Sequence, residues 1–385
     1  MKILFYQRTD VIESAGGTEK VLCFLSSSLA KRGYDVVFMT NEKKEGKLFF
    51  SLYDKVKFVN IGGTLFTGFR KFIFKLIKST PILKLMPFFN NYKYTSDVAY
   101  KYIKEEKPDL IILANPQDLM EICYSHTYKS PIVQMVHNVP WNIFHRKSKT
   151  VLKITLDLMK NVNVCQVLMH SFVGLMKPYY NGKVVVIPNS VPSVDDKFIC
   201  DYSDKKDKFK IINIARITPV KNQELLIKAF AKIHTKNPKW EIHLWGNEDK
   251  KYKEKLDLLV KEFGLQNKVF FKGKTKQPLE ELKNSDIFAF PSHFEGFGLS
   301  LGEAMACGLS SIGLKKAPAV NELIVDGQNG ILTDENIDIF AQDLEILMSS
   351  VLLRKKMGKK AKEMIKDYSE EKIVNMWDKL IKDLL

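Results

Sequence analysis

The chain lacks the features that mark secreted, metal-bound and membrane-spanning proteins. Its five cysteines are scattered and odd in number, with no C-x-x-C pair, which argues against a disulfide framework or a zinc site and favours a reducing cytosol. The sequence has no D-x-D triplet and no histidine–cysteine cluster with metal-ligand spacing. No apolar run reaches the roughly 20 residues of a spanning helix, and the first residues form an apparent strand instead of a signal peptide. We therefore expect a cytosolic protein without a metal.

Length and composition indicate an ordinary globular protein of two domains. The chain has 385 residues, of which 45% are hydrophobic and 27% charged. The net charge of +16 is uneven, because residues 1–190 hold 27 Lys and Arg against 14 Asp and Glu, whereas the rest hold 33 against 30. The basic first half predicts an anionic partner, which at this point is a nucleic acid, an acidic substrate or a membrane surface.

Short β-branched runs alternate with amphipathic helical patterns along the chain, and the alternation occurs twice. The first series of predicted strands is 2–7, 35–40, 56–60, 109–113, 131–136, 163–168 and 183–187. After the linker-like IPNSVPSVDDKF, the second is 209–214, 240–245, 268–272, 286–290, 309–313 and 329–332. Strands separated by helices form parallel sheets. The predicted class is therefore α/β, with two doubly wound domains facing across a cleft and a helical pattern beyond residue 335.

Ligands of such sheets bind outside the carboxyl ends of the strands, so the loops after strands hold the candidate residues. Gly16 and Gly17 precede a helix after the first strand, where backbone amides and the helix dipole suit a phosphate. A plain loop-to-helix turn is the alternative. The glycines at 296, 298 and 302 follow G-x-G-x-x-x-G and depart from the dinucleotide fingerprint, which argues against a nicotinamide cofactor.

Two cations follow the first strand of the second series. Arg216 and Lys221 lie five residues apart in the loop before the next helix. A guanidinium fork and a compact ammonium at the carboxyl end of a strand suit a diphosphate. Solvated surface charges are the alternative interpretation.

The segment FEGFGLSLGEAMACG, residues 294–308, places two glutamates among glycines after a buried strand. We expect a helix from Leu299 or Ser300, with Glu303 in its first turn and Glu295 in the loop before it. The loop amides would bind an anion, and the carboxylates would accept hydrogen bonds from hydroxyl groups. A ligand with phosphates and many hydroxyls is a sugar nucleotide. Complementing the helix dipole is the alternative for Glu303 alone.

This segment resembles the E-x7-E signature of the retaining glycosyltransferases of family 4, which have the GT-B fold of two facing Rossmann-like domains. Six ordered stretches over roughly residues 1–370 carry the resemblance: GGTEK (16–20), VHNVP (136–140), VIPNSV (186–191), ARITPVKN (215–222), LWGN (244–247) and FAFPSHFEGFGLSLGEAMACG (288–308). It implies an acceptor-binding domain over 1–188, a nucleotide-sugar-binding domain over 189–369, and a helix 370–385 that packs back on the first domain.

The resemblance also implies roles for individual residues. His137 would contact the donor sugar or the acceptor at the reaction centre, although a lone histidine after a strand is also common as a structural residue. Arg216 and Lys221 would stabilise the departing diphosphate, so that no metal cofactor is needed. Glu295 would hold the sugar and Glu303 the ribose. The remaining donor contacts would be Gly16, Gly17, Phe297, Gly298 and Leu299.

The expected function is retaining transfer of a hexose or N-acetylhexosamine from a nucleotide sugar, most simply a UDP-sugar, to a lipid-linked or cell-surface glycan, such as that of a lipopolysaccharide or capsule. Two alternatives remain open: a sugar-nucleotide epimerase with the same architecture, and a non-catalytic relative that binds sugar nucleotide. The intact motif and the basic first half favour the transferase.

Residues 69–89, FRKFIFKLIKSTPILKLMPFF, combine five basic residues with many large apolar ones and no acid. The basic residues are Arg70, Lys71, Lys75, Lys78 and Lys84. The segment predicts peripheral association with an anionic membrane surface, the inner face of the cell membrane. The alternative is a covering helix packed on the sheet. Nucleic acid is not expected as a partner, because the order of elements contains no nucleic-acid module.

Overall fold

The computed structural model describes residues 1–8, 11–14, 16–44, 46–62, 86–145, 148–202 and 207–385. The chain forms two compact units. The first unit joins Met1–Pro188 to Ile373–Leu385, and the second is Asn189–Lys372. Each unit contains one parallel sheet with helices between its strands. The predicted class of two Rossmann-like, doubly wound domains is therefore confirmed.

The first unit contains a seven-stranded sheet in the order β3-β2-β1-β4-β5-β6-β7. Its strands are β1 (Lys2–Gln7), β2 (Asp35–Thr40), β3 (Lys57–Asn60), β4 (Leu110–Leu113), β5 (Ile132–Val136), β6 (Val164–Val167) and β7 (Lys183–Val186). The described helices are α1 (Gly17–Lys31), α2 (Met86–Glu106), α3 (Asp118–Ile122), α4 (Pro140–His145), α5 (Lys149–Leu158) and α6 (His170–Met176). The central strands are buried along their whole length, as in parallel sheets covered on both faces.

The second unit contains a six-stranded sheet in the order β10-β9-β8-β11-β12-β13. Its strands are β8 (Phe209–Ile214), β9 (Trp240–Trp245), β10 (Val269–Gly273), β11 (Ile287–Phe290), β12 (Ser311–Leu314) and β13 (Gly330–Thr333). Its helices are α7 (Gln223–Ile233), α8 (Lys250–Glu262), α9 (Pro278–Lys283), α10 (Leu299–Ala306), α11 (Val320–Leu323), α12 (Ile337–Ser349) and α13 (Val351–Met364). Every strand predicted from the sequence is present, with bounds that differ by at most two residues.

The last helix, α14 (Glu370–Leu384), begins in the second unit and continues into the first. Its apolar face lies in the core of the first unit, where Ile373, Trp377 and Ile381 are almost fully buried. The phenol of Tyr34 also donates a hydrogen bond of 2.7 Å to Asp378. This helix therefore completes a core whose other residues come from the first half of the chain.

Each sheet reverses its strand order once, between β1 and β4 in the first unit and between β8 and β11 in the second. In doubly wound sheets, ligands bind in the crevice that such a reversal opens at the carboxyl ends of the strands. The two reversals therefore locate one candidate crevice in each unit.

The crevice of the first unit holds a buried network of charged groups. Glu121 accepts hydrogen bonds from the Tyr6 phenol at 2.5 Å and from Asn41 at 3.1 Å, and it pairs with Arg8 at 2.7 Å. Asp118 accepts the backbone N–H of Arg8 at 3.2 Å, and burial raises the pKa of this carboxyl to about 8. These groups form direct hydrogen bonds and ion pairs with one another at the carboxyl end of β1.

Two sequence expectations concern the membrane. The five basic residues of the segment 69–89 lie outside the described residues: Arg70, Lys71, Lys75, Lys78 and Lys84. The membrane role of this segment therefore stays a prediction. Within the part of the chain that the structure describes, no helix is long and apolar enough to cross a bilayer.

Candidate functional site

Two loops meet at the crevice of the second unit. The loop after β8 carries Arg216 and ends in a 3-10 turn, Pro219–Lys221, before α7. Asn222 joins the turn to the helix with φ of 51°, a left-handed conformation that asparagine tolerates better than most residues. The loop after β11 contacts the first loop directly, because the backbone N–H of His293 donates to the carbonyl of Val220 at 3.0 Å.

Lys221 and Glu295, which are 74 positions apart in sequence, form a close ion pair where these loops meet. The Lys221 ammonium lies 2.5 Å and 2.6 Å from the two carboxylate oxygens. The side chains are only 15% and 9% exposed, so solvent screens this pair less than a surface pair. The ring of Phe290 lies beside it, with its centroid 5.7 Å from the ammonium. The structure thus brings together two residues that the sequence predicted to bind different parts of a donor.

Arg216 lies in the same loop as Lys221, but its side chain is exposed. The backbone around it is tightly packed, because a Cβ on Gly246 would lie 2.0 Å from the carbonyl oxygen of Ala215. Glycine at 246 therefore lets the end of β9 approach the start of this loop. The exposed guanidinium and the paired ammonium place two cations on one loop of the crevice.

Helix α10 begins at Leu299 with Gly298 as its N-cap residue, and Gly298 has φ of 90°, in the left-handed region that favours glycine. Glu303 is the fifth residue of this helix, so the expectation that it lies in the first turn is wrong. The cause is the turn at Gly298, which starts the helix at the earlier of the two predicted positions. Glu303 is buried. The burial of Cys307, together with the nearby charge of Glu303, raises the pKa of the Cys307 thiol to about 12. Because the effect of the helix dipole falls off within the first turn, the dipole is a weaker explanation for Glu303 as the fifth residue of the helix.

Phe297 is buried, at the end of the loop before Gly298. The segment 296–299 therefore forms the turn from the loop into α10, as the sequence indicated.

Gly16, Gly17 and His137 belong to the first unit, whereas Arg216, Lys221 and Glu295 belong to the second. Gly16 is the N-cap residue and Gly17 the first residue of α1. Hence the paired glycines stand at a helix N-terminus at the carboxyl end of β1.

His137 follows directly after β5. Both of its ring nitrogens are buried and have no hydrogen-bond partner among the described residues. Burial lowers the pKa of His137 to about 4, so the imidazole is neutral at pH 7. A neutral imidazole with both nitrogens unsatisfied can donate one hydrogen bond and accept another.

Sequence reasoning did not identify Phe290 as part of this site. Phe290 is the last residue of β11, where it is almost fully buried. Its ring also lies against Gly298, since a Cβ there would be 3.2 Å from Phe290 Cε1. An aromatic residue in a buried strand has the same pattern as any core residue, so the sequence held no signal for this contact.

Among the described residues, no three His, Cys, Asp or Glu side chains are grouped so that they could hold a metal ion.

Two family models match consecutive parts of the chain. The model for Glycosyltransferase Family 4 matches residues 15–193, and the model for Glycosyl transferases group 1 matches residues 195–364. The division between the two models lies close to the change of unit after Pro188.

Individual proteins give the same result. An uncharacterized glycosyltransferase of Haemophilus influenzae is 24% identical over 95% of this chain and 96% of its own length. The N-acetylgalactosamine-N,N'-diacetylbacillosaminyl-diphospho-undecaprenol 4-alpha-N-acetylgalactosaminyltransferase of Campylobacter jejuni is 32% identical, but the match spans only 44% of this chain and 45% of that protein. The structure is also similar to the crystal structure of Anabaena HepE in complex with UDP and glucose. The match covers 99% of each chain, with a TM-score of 0.73 and 18% sequence identity. The chain therefore belongs to the GT-B glycosyltransferases that join a family 4 half to a group 1 half.

Proposed function

We propose that the protein transfers a hexose or N-acetylhexosamine from a UDP-sugar to a lipid-linked or cell-surface glycan, with retention of the anomeric configuration. The observation that carries the proposal is the Lys221–Glu295 pair at the strand reversal of the second unit. One member is a cation suited to a diphosphate, and the other is a carboxylate suited to sugar hydroxyls. These are the two chemical parts of a sugar nucleotide.

The chemistry requires stabilisation of the leaving group. The bond from the anomeric carbon to the diphosphate oxygen breaks, the acceptor oxygen takes its place, and the acceptor proton passes to the departing phosphate. Negative charge builds on the diphosphate as it leaves, where Lys221 and Arg216 supply preorganised cations. Glu295 orients the sugar by accepting its hydroxyl hydrogen bonds, and Glu303 accepts those of the ribose.

We also propose roles for three residues of the first unit. Gly16 and Gly17 present the N-terminal amides of α1, which favour a negatively charged group. His137 is neutral, so it acts through hydrogen bonds at its buried nitrogens and not as a cation. We propose that a hydroxyl group of the sugar or of the acceptor forms a hydrogen bond with one of these nitrogens.

Donor and acceptor classes rest on the relatives. HepE is described with UDP and glucose, which supports a UDP-sugar donor here. The Campylobacter enzyme is named for an undecaprenol-linked acceptor, which supports a lipid-linked glycan. The alternatives, an epimerase and a non-catalytic binder, differ from the transferase in giving no glycosylated product.

The proposed function is tested by a thermal-shift screen across nucleotide sugars, followed by a transfer assay with the donor that stabilises most. A bound donor raises the melting temperature by mass action. The transfer assay contains excess EDTA, because we propose that Arg216 and Lys221 replace a divalent cation. We expect stabilisation by a UDP-sugar and transfer that survives chelation. Stabilisation without product would favour the non-catalytic alternative, and loss of transfer that magnesium or manganese restores would refute metal independence.

We further propose that residues 69–89 attach the protein to an anionic membrane at the inner face of the cell membrane. Replacing Lys71, Lys75 and Lys78 with Glu is expected to release it from anionic liposomes, because each basic residue near such a surface contributes about 1 kcal/mol. Sedimentation at low and high salt measures this, since screening shortens the electrostatic range from about 10 Å at 0.1 M to about 3 Å at 1 M salt.

The control variant replaces three exposed lysines of α13 in the second unit with Glu: Lys355, Lys356 and Lys359. It changes the net charge equally and is expected to leave liposome binding intact. Equal release by both variants would show that binding follows overall charge, and failure of the wild type to sediment at low salt would eliminate the membrane proposal.

A further inference from the structure

Two fully buried amide side chains connect the loop of Arg216 to the neighbouring strand. Gln223, the first residue of α7, donates from Nε2 to the Arg216 carbonyl at 3.0 Å and to Asn213 Oδ1 at 3.2 Å. Asn213, in β8, donates from Nδ2 to the carbonyl of Ala289 in β11 at 2.8 Å. A continuous chain of hydrogen bonds therefore runs from the Arg216 loop to β11.

The orientation of both amides follows from their partners. The carbonyls of Arg216 and Ala289 lie at the two ends of this series of hydrogen bonds, and a carbonyl oxygen can only accept a hydrogen bond. Each end must therefore face an NH2 group, which leaves Asn213 Oδ1 to accept from Gln223. Rotating either amide by half a turn would place two acceptors against each other.

The amide chain lies where β8 and β11 diverge. Their registered pairing runs through Ile211 with Ile287 and Ile212 with Phe288, whereas β8 stays paired with β9 as far as Ile214 and Trp245. At the next position, the Asn213 side chain bonds to Ala289. A side chain thus spans the opening between the strands at the reversal of the sheet, which is where the ligand crevice begins.

This arrangement is costly for a protein core. Asn213 stands between Ile212 and Ile214 in a buried strand, and Gln223 Oε1 is buried without a hydrogen-bond partner among the described residues. An unsatisfied buried acceptor lowers stability, and apolar residues of similar shape would avoid this penalty. Such departures from good packing occur mainly at functional sites.

We infer that Asn213 and Gln223 are positioning residues that set the separation between the Arg216–Lys221 loop and β11. The inference rests on the proposed function, because β11 continues into the loop of Glu295, the partner of Lys221. Asn213 and Gln223 act by placing the residues of the two loops and do not touch the donor themselves. Misplacing such groups by about 1 Å can lower catalysis roughly a hundredfold.

The experiment compares Gln223→Met and Asn213→Leu with the wild type in two measurements on the full chain. The first is the affinity for UDP, by calorimetry, and the second is hydrogen exchange of the amides of 215–222. We expect UDP to bind about tenfold more weakly, as for one lost hydrogen bond, and the loop amides to exchange faster. The donor KM rises in parallel, and the acceptor KM stays unchanged.

Gln166→Met is the matched control, since Gln166 is equally buried and donates to the carbonyl of Ile187 in the first unit. It is expected to lower the melting temperature without changing UDP affinity. Unchanged UDP affinity and unchanged exchange in both test variants would overturn the inference. If the wild type does not bind UDP, the proposed donor is wrong, and loop exchange alone then decides whether the pair positions the loop. Asn213→Ser, which adds no bulk at this buried position, replaces Asn213→Leu if that variant fails to fold.

Discussion

Replacing Arg216 or Lys221 with alanine is expected to lower turnover about a hundred- to a thousandfold, the usual effect of removing one preorganised group that stabilises developing charge. The measurement is kcat with saturating UDP-sugar, together with a melting curve for each variant. The two variants differ in stability. Arg216 is exposed, so its loss leaves the fold intact, whereas loss of Lys221 leaves the buried carboxylate of Glu295 without its cation.

Lys228→Ala is the matched control for these variants. Lys228 is in the same unit, in a partly buried ion pair of 2.6 Å with Glu224 along α7. Its removal is expected to leave turnover nearly unchanged. Near-normal turnover in both Arg216→Ala and Lys221→Ala, with folding intact, would remove the diphosphate assignment.

The variant Glu295→Gln is expected to change transfer and product binding in opposite directions. Transfer falls, with kcat/KM lower by about a hundredfold, because a hydrogen bond to a charged acceptor is worth roughly 1.5–3 kcal/mol and is strengthened in the transition state. UDP binds several-fold to about tenfold more tightly, because Lys221 no longer shares its charge with a carboxylate and the terminal phosphate of UDP no longer meets a negative neighbour. The wild-type carboxylate therefore favours the intact donor over the product.

Calorimetry with UDP and steady-state kinetics with the UDP-sugar measure the two effects separately. Glu254→Gln, an exposed change of the same chemistry in α8, is the control and should alter neither. A Glu295→Gln variant that binds UDP no better than the wild type would show that the ion pair does not compete with the diphosphate.

The order of strands and helices could be predicted from the sequence because the sheets are parallel and covered on both faces. Such strands appear as continuous β-branched or aromatic runs, for example LIIL in β4 and IFAF in β11. The helix after Glu295 was located to within one residue, although Gly298 places Glu303 one position deeper than expected. Local pattern was therefore sufficient for the elements and approximate for their ends.

The contacts within the site could not be predicted in the same way. Lys221 and Glu295 meet because β8 and β11 are neighbours in the sheet, and this adjacency depends on a strand order that no local pattern contains. Asn213 was visible as a polar residue in the apolar run FKIINI. Its role depends on Gln223 and Ala289, which its own strand does not reveal. Contacts between segments that are distant in sequence were therefore visible only in the fold.

Helix α14 has a consequence for synthesis on the ribosome. Ile373, Trp377 and Ile381 fill the core of the first unit, yet they are translated only after the whole of the second unit. Domains generally fold as units while the chain emerges. All residues of the second unit are therefore available for folding before the first unit has its full set of core residues. The core of the first unit is thus complete only after residues on the far side of the second unit in sequence have been synthesised.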